Sequence, residues 1–141
     1  MSTGYTHRNS SGVLNRDVTF VTGEFMDHIQ LILPYPPSVN HYWGQFGKRR
    51  FIGKRGVEFR KAVAEACLDA GVQPLDGRLA VHIALFPPDK RKRDVDNVLK
   101  GLLDACEHAG CYESDSQIDE LHIVRQEVKK GGSCTILILP I

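Results

Sequence analysis

Apolar side chains change their period several times along the chain, and each change marks an element. Ile29, Leu31 and Leu33 alternate with Gln30 and Ile32 until Pro34 and Pro36-Pro37 halt the run, which predicts a strand beginning near His28. Pro36-Pro37-Ser38-Val39-Asn40 reads as a loop or turn. Tyr42, Trp43, Phe46 and Phe51 then flank Gly44, Gly47 and the triplet Lys48-Arg49-Arg50, the pattern of a hairpin with a basic tip. From Gly56 the apolar positions fall at helical spacing through Val57, Phe59, Val63, Ala64, Cys67 and Ala70, predicting an amphipathic helix that stops at Gly71.

Alternation returns at Leu79, Val81, Ile83 and Leu85 and ends at Pro87-Pro88. In the segment that follows, Val95, Val98, Leu99, Leu102, Leu103 and Cys106 trace one helical stripe, with Gly110 as the C-terminal stop. Residues 118–128 and 133–141 look like a final antiparallel pair joined by Lys129-Lys130-Gly131-Gly132. The order predicts an α+β fold, a mixed and largely antiparallel sheet with two helices packed on one face. Residues 1–26, rich in Ser, Thr, Gly and Asn, read as a flexible N-terminal extension, and residues 27–141 as the folded domain.

A length of 141 residues fits a single domain with a real core. No apolar run approaches the ~20 residues of a membrane span. The polar N-terminus also lacks a signal-peptide stretch, so the expected setting is cytoplasmic, with no membrane partner. Cys67, Cys106, Cys111 and Cys134 form no CxxC pair and match no zinc spacing, so they are read as reduced structural thiols. The formal net charge of +1 predicts no partner by itself. Its distribution says more: Lys48, Arg49, Arg50, Lys54 and Arg55 form one basic cluster and Lys90, Arg91, Lys92 and Arg93 another, while acidic residues gather after Asp94. A charge run is usually a solvated face, but four cations abutting acidic residues suit a nucleic-acid backbone.

The chemistry concentrates in Asp94-Val95-Asp96-Asn97 with Lys100. Two helical residues two apart point about 160° from each other, whereas in extended chain they point the same way. Joint use of Asp94 and Asp96 therefore requires a loop-to-helix junction. A hard cation such as Mg²⁺ takes carboxylate oxygens and retained waters. Asp115 supplies a third carboxylate, and it must approach from the next strand or across a subunit boundary. The plainer alternative makes Asp94 an N-cap and Asp96–Lys100 a surface i, i+4 pair. A calcium loop is excluded, because Leu99 stands where glycine is required. His41, His82, His108 and His122 share no ligand spacing.

The proline-rich segment 36–40, the basic run Lys90–Arg93, the string Asp94-x-Asp96-Asn97-x-x-Lys100 and the later Asp115 together resemble the RusA family of Holliday-junction resolvases, over roughly residues 28–140. The resemblance implies a homodimeric endonuclease, bacterial or phage-encoded, that makes paired symmetric nicks in four-way DNA junctions. It implies Mg²⁺, with Mn²⁺ as a substitute, bound by Asp94, Asp96 and Asp115, and Lys100 as a basic catalytic residue. Two departures stand out: the acidic loop reads Glu113-Ser114-Asp115 rather than adjacent aspartates, and the N-terminal extension has no counterpart role. Competing readings are a nuclease for forks or flaps, a branched-DNA-binding protein that does not cut, and a small interaction protein whose basic tip meets an acidic partner.

Overall fold

The fold, taken from a computed structural model, is described for residues 27–141, together with the backbone of two short strands that pair antiparallel, β1 (Val13–Leu14) and β2 (Phe20–Val21). The rest of the expected flexible extension, residues 1–26, lies outside the described residues.

β3 (Ile29–Leu33) turns Ile29, Leu31 and Leu33 into the core and Gln30 and Ile32 to solvent, as its alternation dictates. The Pro-Pro-Ser segment leads into a single helical turn, α1 (Val39–Tyr42), and then into the predicted hairpin, β4 (Trp43–Phe46) and β5 (Arg49–Ile52). α2 (Lys54–Ala70) ends at Gly71, as expected. β6 (Leu79–Phe86) precedes a 3₁₀ turn over Val95–Val98, which runs into α3 (Leu99–His108). A second 3₁₀ turn, Asp115–Gln117, opens β7 (Ile118–Arg125), and β8 (Ser133–Pro140) closes the chain.

The sheet runs β3-β8-β6-β7. β8 is antiparallel to both β3 and β6, while β7 is parallel to β6, so the sheet is mixed and mostly antiparallel. Phe59, Val63 and Cys67 of α2 and Leu102, Ala105 and Cys106 of α3 pack on one face, against Leu31, Val81, Ile83, Ile136 and Ile138. On the other face Ala80, Leu137 and Leu139 form a smaller buried cluster, and His82 stacks on its register partner His122 with ring centroids 4.7 Å apart. All four cysteines are buried and free, in keeping with their reading as structural thiols.

One expectation fails. β7 and β8 are not a hairpin, because β6 lies between them. The crossover through α3 makes β6-α3-β7 a parallel unit and sends β7 to the sheet edge, where its side chains are mostly exposed. Apart from Thr135, β8 is apolar on both faces from Cys134 to Leu139 and is buried throughout, which suits a central strand. The loop after β7 crosses the end of β6, with the Lys129 amide donating to the Pro87 carbonyl at 2.9 Å.

α1 is clamped between the two long helices. Tyr42 is fully buried, and a Cβ on Gly101 of α3 would come within 2.7 Å of its ring. A Cβ on Gly56 of α2 would lie 2.2 Å from its carbonyl oxygen. Glycine at both positions is what allows the Pro-Pro-Ser loop to seat against α2 and α3.

Candidate active site groove

The clamp leaves a groove of about 1160 Å³ between the proline-rich loop, the first turns of α2 and the loop after β6. Ser38, His41, Arg55, Arg91, Lys92, Arg93, Asp94 and Asn97 line it. One rim is thus the root of the β4–β5 hairpin, and the other is the basic loop that leads to the acidic string.

That loop is stiffened from within. Asp89 accepts from Arg93 at 2.7 Å and from the Arg91 amide at 2.9 Å and its guanidinium at 3.1 Å. The Arg93 bond first, then those from Arg91, hold the Asp89 carboxyl well below the usual carboxylate range. Arg93 also lies 5.9 Å from the Tyr35 ring, and Arg125 donates to the Arg93 carbonyl. The predicted cationic run therefore divides: Arg91 and Arg93 share one carboxylate, while Lys90 and Lys92 stand exposed with no ion pair among the described residues.

Asp94 follows in extended backbone (φ −92°, ψ 136°), and the 3₁₀ turn begins at Val95. This is the loop-to-helix junction that joint use of Asp94 and Asp96 requires. Asp94 stands at the N-cap position, yet its carboxylate makes no cap hydrogen bond; only its carbonyl accepts, from the Asn97 amide at 3.2 Å. The structural role that would compete with ligand binding is therefore unfilled. Asp96 is exposed in the first turn, and the i, i+4 pair with Lys100 does not form. The 3₁₀ turn over 95–98 breaks the α-helical spacing that such a pair needs.

Lys100 reaches Asp115 instead, Nζ to Oδ2 at 3.4 Å. The turn carrying Asp115 is built locally: Ser114 Oγ accepts from the Ser116 amide, and Gln117 Oε1 accepts from the amides of Glu113 and Ser114. Glu107 of α3 accepts from the Asp115 amide at 2.9 Å, tying the turn back along the helix. Within one chain, the turn before β7 brings Asp115 to Lys100. Glu113 itself is exposed, contributing only its amide to the turn.

Behind the site lies a network that the spacing of residues did not announce. Tyr42 donates its hydroxyl to Asp104 Oδ2, and Arg60 donates to the same oxygen at 2.8 Å and to the Tyr42 oxygen at 2.9 Å. Three elements, α1, α2 and α3, meet at one carboxylate one turn beyond Lys100. The only sequence signal was Asp104 standing at i+4 from Lys100.

The donor set of Asp94, Asp96 and Asp115 is all carboxylate oxygen, which suits a hard divalent cation. Asp94 and Asp96 have no protein partner among the described residues, and the Asp115–Lys100 contact is a loose surface pair, worth about 0–1 kcal/mol and easily exchanged. Among the described residues no three ligating side chains are already gathered into a coordination shell. Nor is any described helix long and apolar enough to cross a membrane.

A protein of Enterobacteria phage HK97 named crossover junction endodeoxyribonuclease rusA is 39% identical over 114 residues, covering 80% of this chain and 95% of that relative. The Escherichia coli K12 protein named crossover junction endodeoxyribonuclease RusA is 34% identical over 118 residues, with the same coverage of both chains. Its namesake in Enterobacteria phage 82 is also 34% identical. The family profile described as endodeoxyribonuclease RusA matches residues 34–138, a span that takes in the groove, the acidic string, Lys100 and Asp115, and the chain belongs to the RusA endodeoxyribonuclease family.

Proposed function

We propose that this chain is a structure-selective DNA endonuclease that resolves four-way junctions, with Mg²⁺ held by Asp94, Asp96 and Asp115. The observation that carries the reading is an unpartnered carboxylate, Asp94, in a groove whose charged lining is Arg55, Arg91, Lys92 and Arg93 against Glu58 and the Arg-paired Asp89. Cations in that position offset the repulsion between carboxylates and a phosphodiester, and they make binding fall with salt. The names of the relatives supply the substrate class. A bound divalent ion, Mg²⁺ or Mn²⁺ in its place, supplies an acidic water and neutralises charge on phosphate.

The protein's own residues do the rest. Arg55 and Lys92 grip the phosphates on either side of the groove, and Asn97 offers a neutral hydrogen-bonding group beside Asp94. Lys100, released from Asp115, brings its ammonium to the leaving oxygen or the pentacovalent phosphate, where charge develops. Two such sites in a C₂ homodimer match the approximate two-fold symmetry of a four-way junction and account for paired nicks.

The test is cleavage of a synthetic four-way junction against linear duplex, in Mg²⁺ or EDTA, by wild type and Asp94→Asn. Symmetric nicking that needs Mg²⁺ and is lost in Asp94→Asn, with junction binding retained, is expected. Lys100→Met should lower the cutting rate at saturating junction by at least tenfold, about 1.4 kcal/mol of transition-state stabilisation. Junction binding by folded wild type without cutting in Mg²⁺ or Mn²⁺ would leave a binding protein and remove the nuclease.

A further inference from the structure

The β4–β5 hairpin stands apart from the main sheet, and its outer face has no covering partner among the described residues. Its root is fixed: Trp43 and Ile52 pair across the strands and pack against the core, and the Gly53 amide donates to the Tyr42 carbonyl at 2.8 Å. On this inner face Arg50 lies over the Trp43 ring at 4.3 Å. The outer face carries Gly44, Phe46, Arg49 and Phe51. Phe51 packs over Gly44, so close that a Cβ there would sit 2.5 Å from the ring. Phe46 has no such cover and is 81% exposed at the tip, next to the turn Gly47-Lys48.

The charge around that ring selects its partner. No acidic residue occurs between Asp27 and Glu58, whereas Lys48, Arg49, Arg50, Lys54 and Arg55 all fall in this stretch. None of these five forms an ion pair among the described residues. A symmetric contact between two copies of the hairpin would set these cations against one another. A polyanion with exposed aromatic faces is complementary to both features. The hairpin is also continuous with the groove, since His41 at one root and Arg55 at the other both line it.

We infer that the hairpin is a branch-point wedge: Phe46 stacks on a base exposed where DNA strands part, while Lys48 and Arg49 hold the flanking phosphates. The inference rests on the DNA-processing reading above for its substrate. An aromatic wedge is rewarded only where bases are already unstacked, so it favours branched over linear DNA. Phe51, held down on Gly44, forms the platform behind Phe46.

The experiment uses the full chain in EDTA, with a four-way junction carrying 2-aminopurine at the branch point and a linear duplex of equal length. Wild type should alter the 2-aminopurine fluorescence on binding, and Phe46→Ala should not. Stacking of one base implies that Phe46→Ala weakens junction binding about tenfold or more while linear-duplex affinity is unchanged. Phe46→Trp should retain both properties, and Lys48→Ala with Arg49→Ala should weaken both DNAs. An unchanged junction affinity and fluorescence response in Phe46→Ala would overturn the wedge. So would light scattering showing that Phe46→Ala breaks a dimer, because the face would then belong to a second copy. Mg²⁺-dependent cutting by wild type, followed in parallel, separates the two readings. Cutting with an inert Phe46 removes only the wedge, and Phe46-dependent junction binding without cutting removes only the nuclease.

Discussion

Asp104 keeps its charge against partial burial because two donors converge on one oxygen. Burial works against the carboxylate, but the Tyr42 hydroxyl and then the Arg60 guanidinium outweigh it and hold its pKa below the ordinary value. A depressed folded-state pKa gives stability that is present above the unfolded value, near 3.9 for Asp, and lost as pH falls through the folded value. Asp104→Asn should therefore cost about 1–3 kcal/mol at pH 7, since it leaves the buried ends of Tyr42 and Arg60 imperfectly paired. The loss relative to wild type should shrink as pH is lowered below 4. Urea midpoints of both proteins at neutral and acid pH measure it, and a gap that does not change with pH would show that the carboxylate charge contributes nothing. The acidic string stands out in the sequence as carboxylates just ahead of an apolar stripe, while the roles expected of Asp94, Asp96, Asp115 and Lys100 come from the family resemblance. The Tyr42–Arg60–Asp104 network could not be read from sequence, since its members come from positions 42, 60 and 104 and only the packed helices bring them together.

Among the α-helices, α1 is the shortest, a single turn held between the other two. A single turn has no stability of its own. It persists because Tyr42 is wedged between Gly56 and Gly101. Gly101→Ala would drive a Cβ into the Tyr42 ring and should destabilise by about 1–3 kcal/mol, the usual range for overpacking. Since α1 carries Ser38 and His41 to the groove, the same change should also weaken DNA binding, which filter binding against the unfolding midpoint would separate. A variant as stable as wild type would mean that α1 shifts freely, and the groove with it. Strand and helix identities were legible here because β3 alternates and α2 keeps its period up to Gly71. The pairing of strands was not. A Lys-Lys-Gly-Gly segment between two apolar runs is a sound hairpin signal, and it fails because β8 is apolar on both faces and so belongs in the middle of the sheet.

At the scale of the whole molecule, a net charge of +1 hides a division of labour between an acid-free span from residue 28 to residue 57 and the acidic segments that follow Asp94. Binding to a junction should accordingly weaken steeply with salt, and Lys92→Ala should reduce the slope of log K against log salt by about one unit. An unchanged slope would place Lys92 off the phosphate path. The strand order β3-β8-β6-β7 also bears on the life of the chain before it is finished. Ile29 has Ile138 as its register partner, and β6 likewise relies on β8 for one whole flank. During synthesis the sheet has no centre until β8 leaves the ribosome, so the strands made before it must wait, with β3 and β6 each lacking a neighbour. Contacts this distant along the chain slow folding and lengthen exposure to aggregation. A ribosome-stalled chain ending at residue 132 should remain protease-sensitive in β3 and β6, whereas a released chain that includes β8 should gain protection in one step.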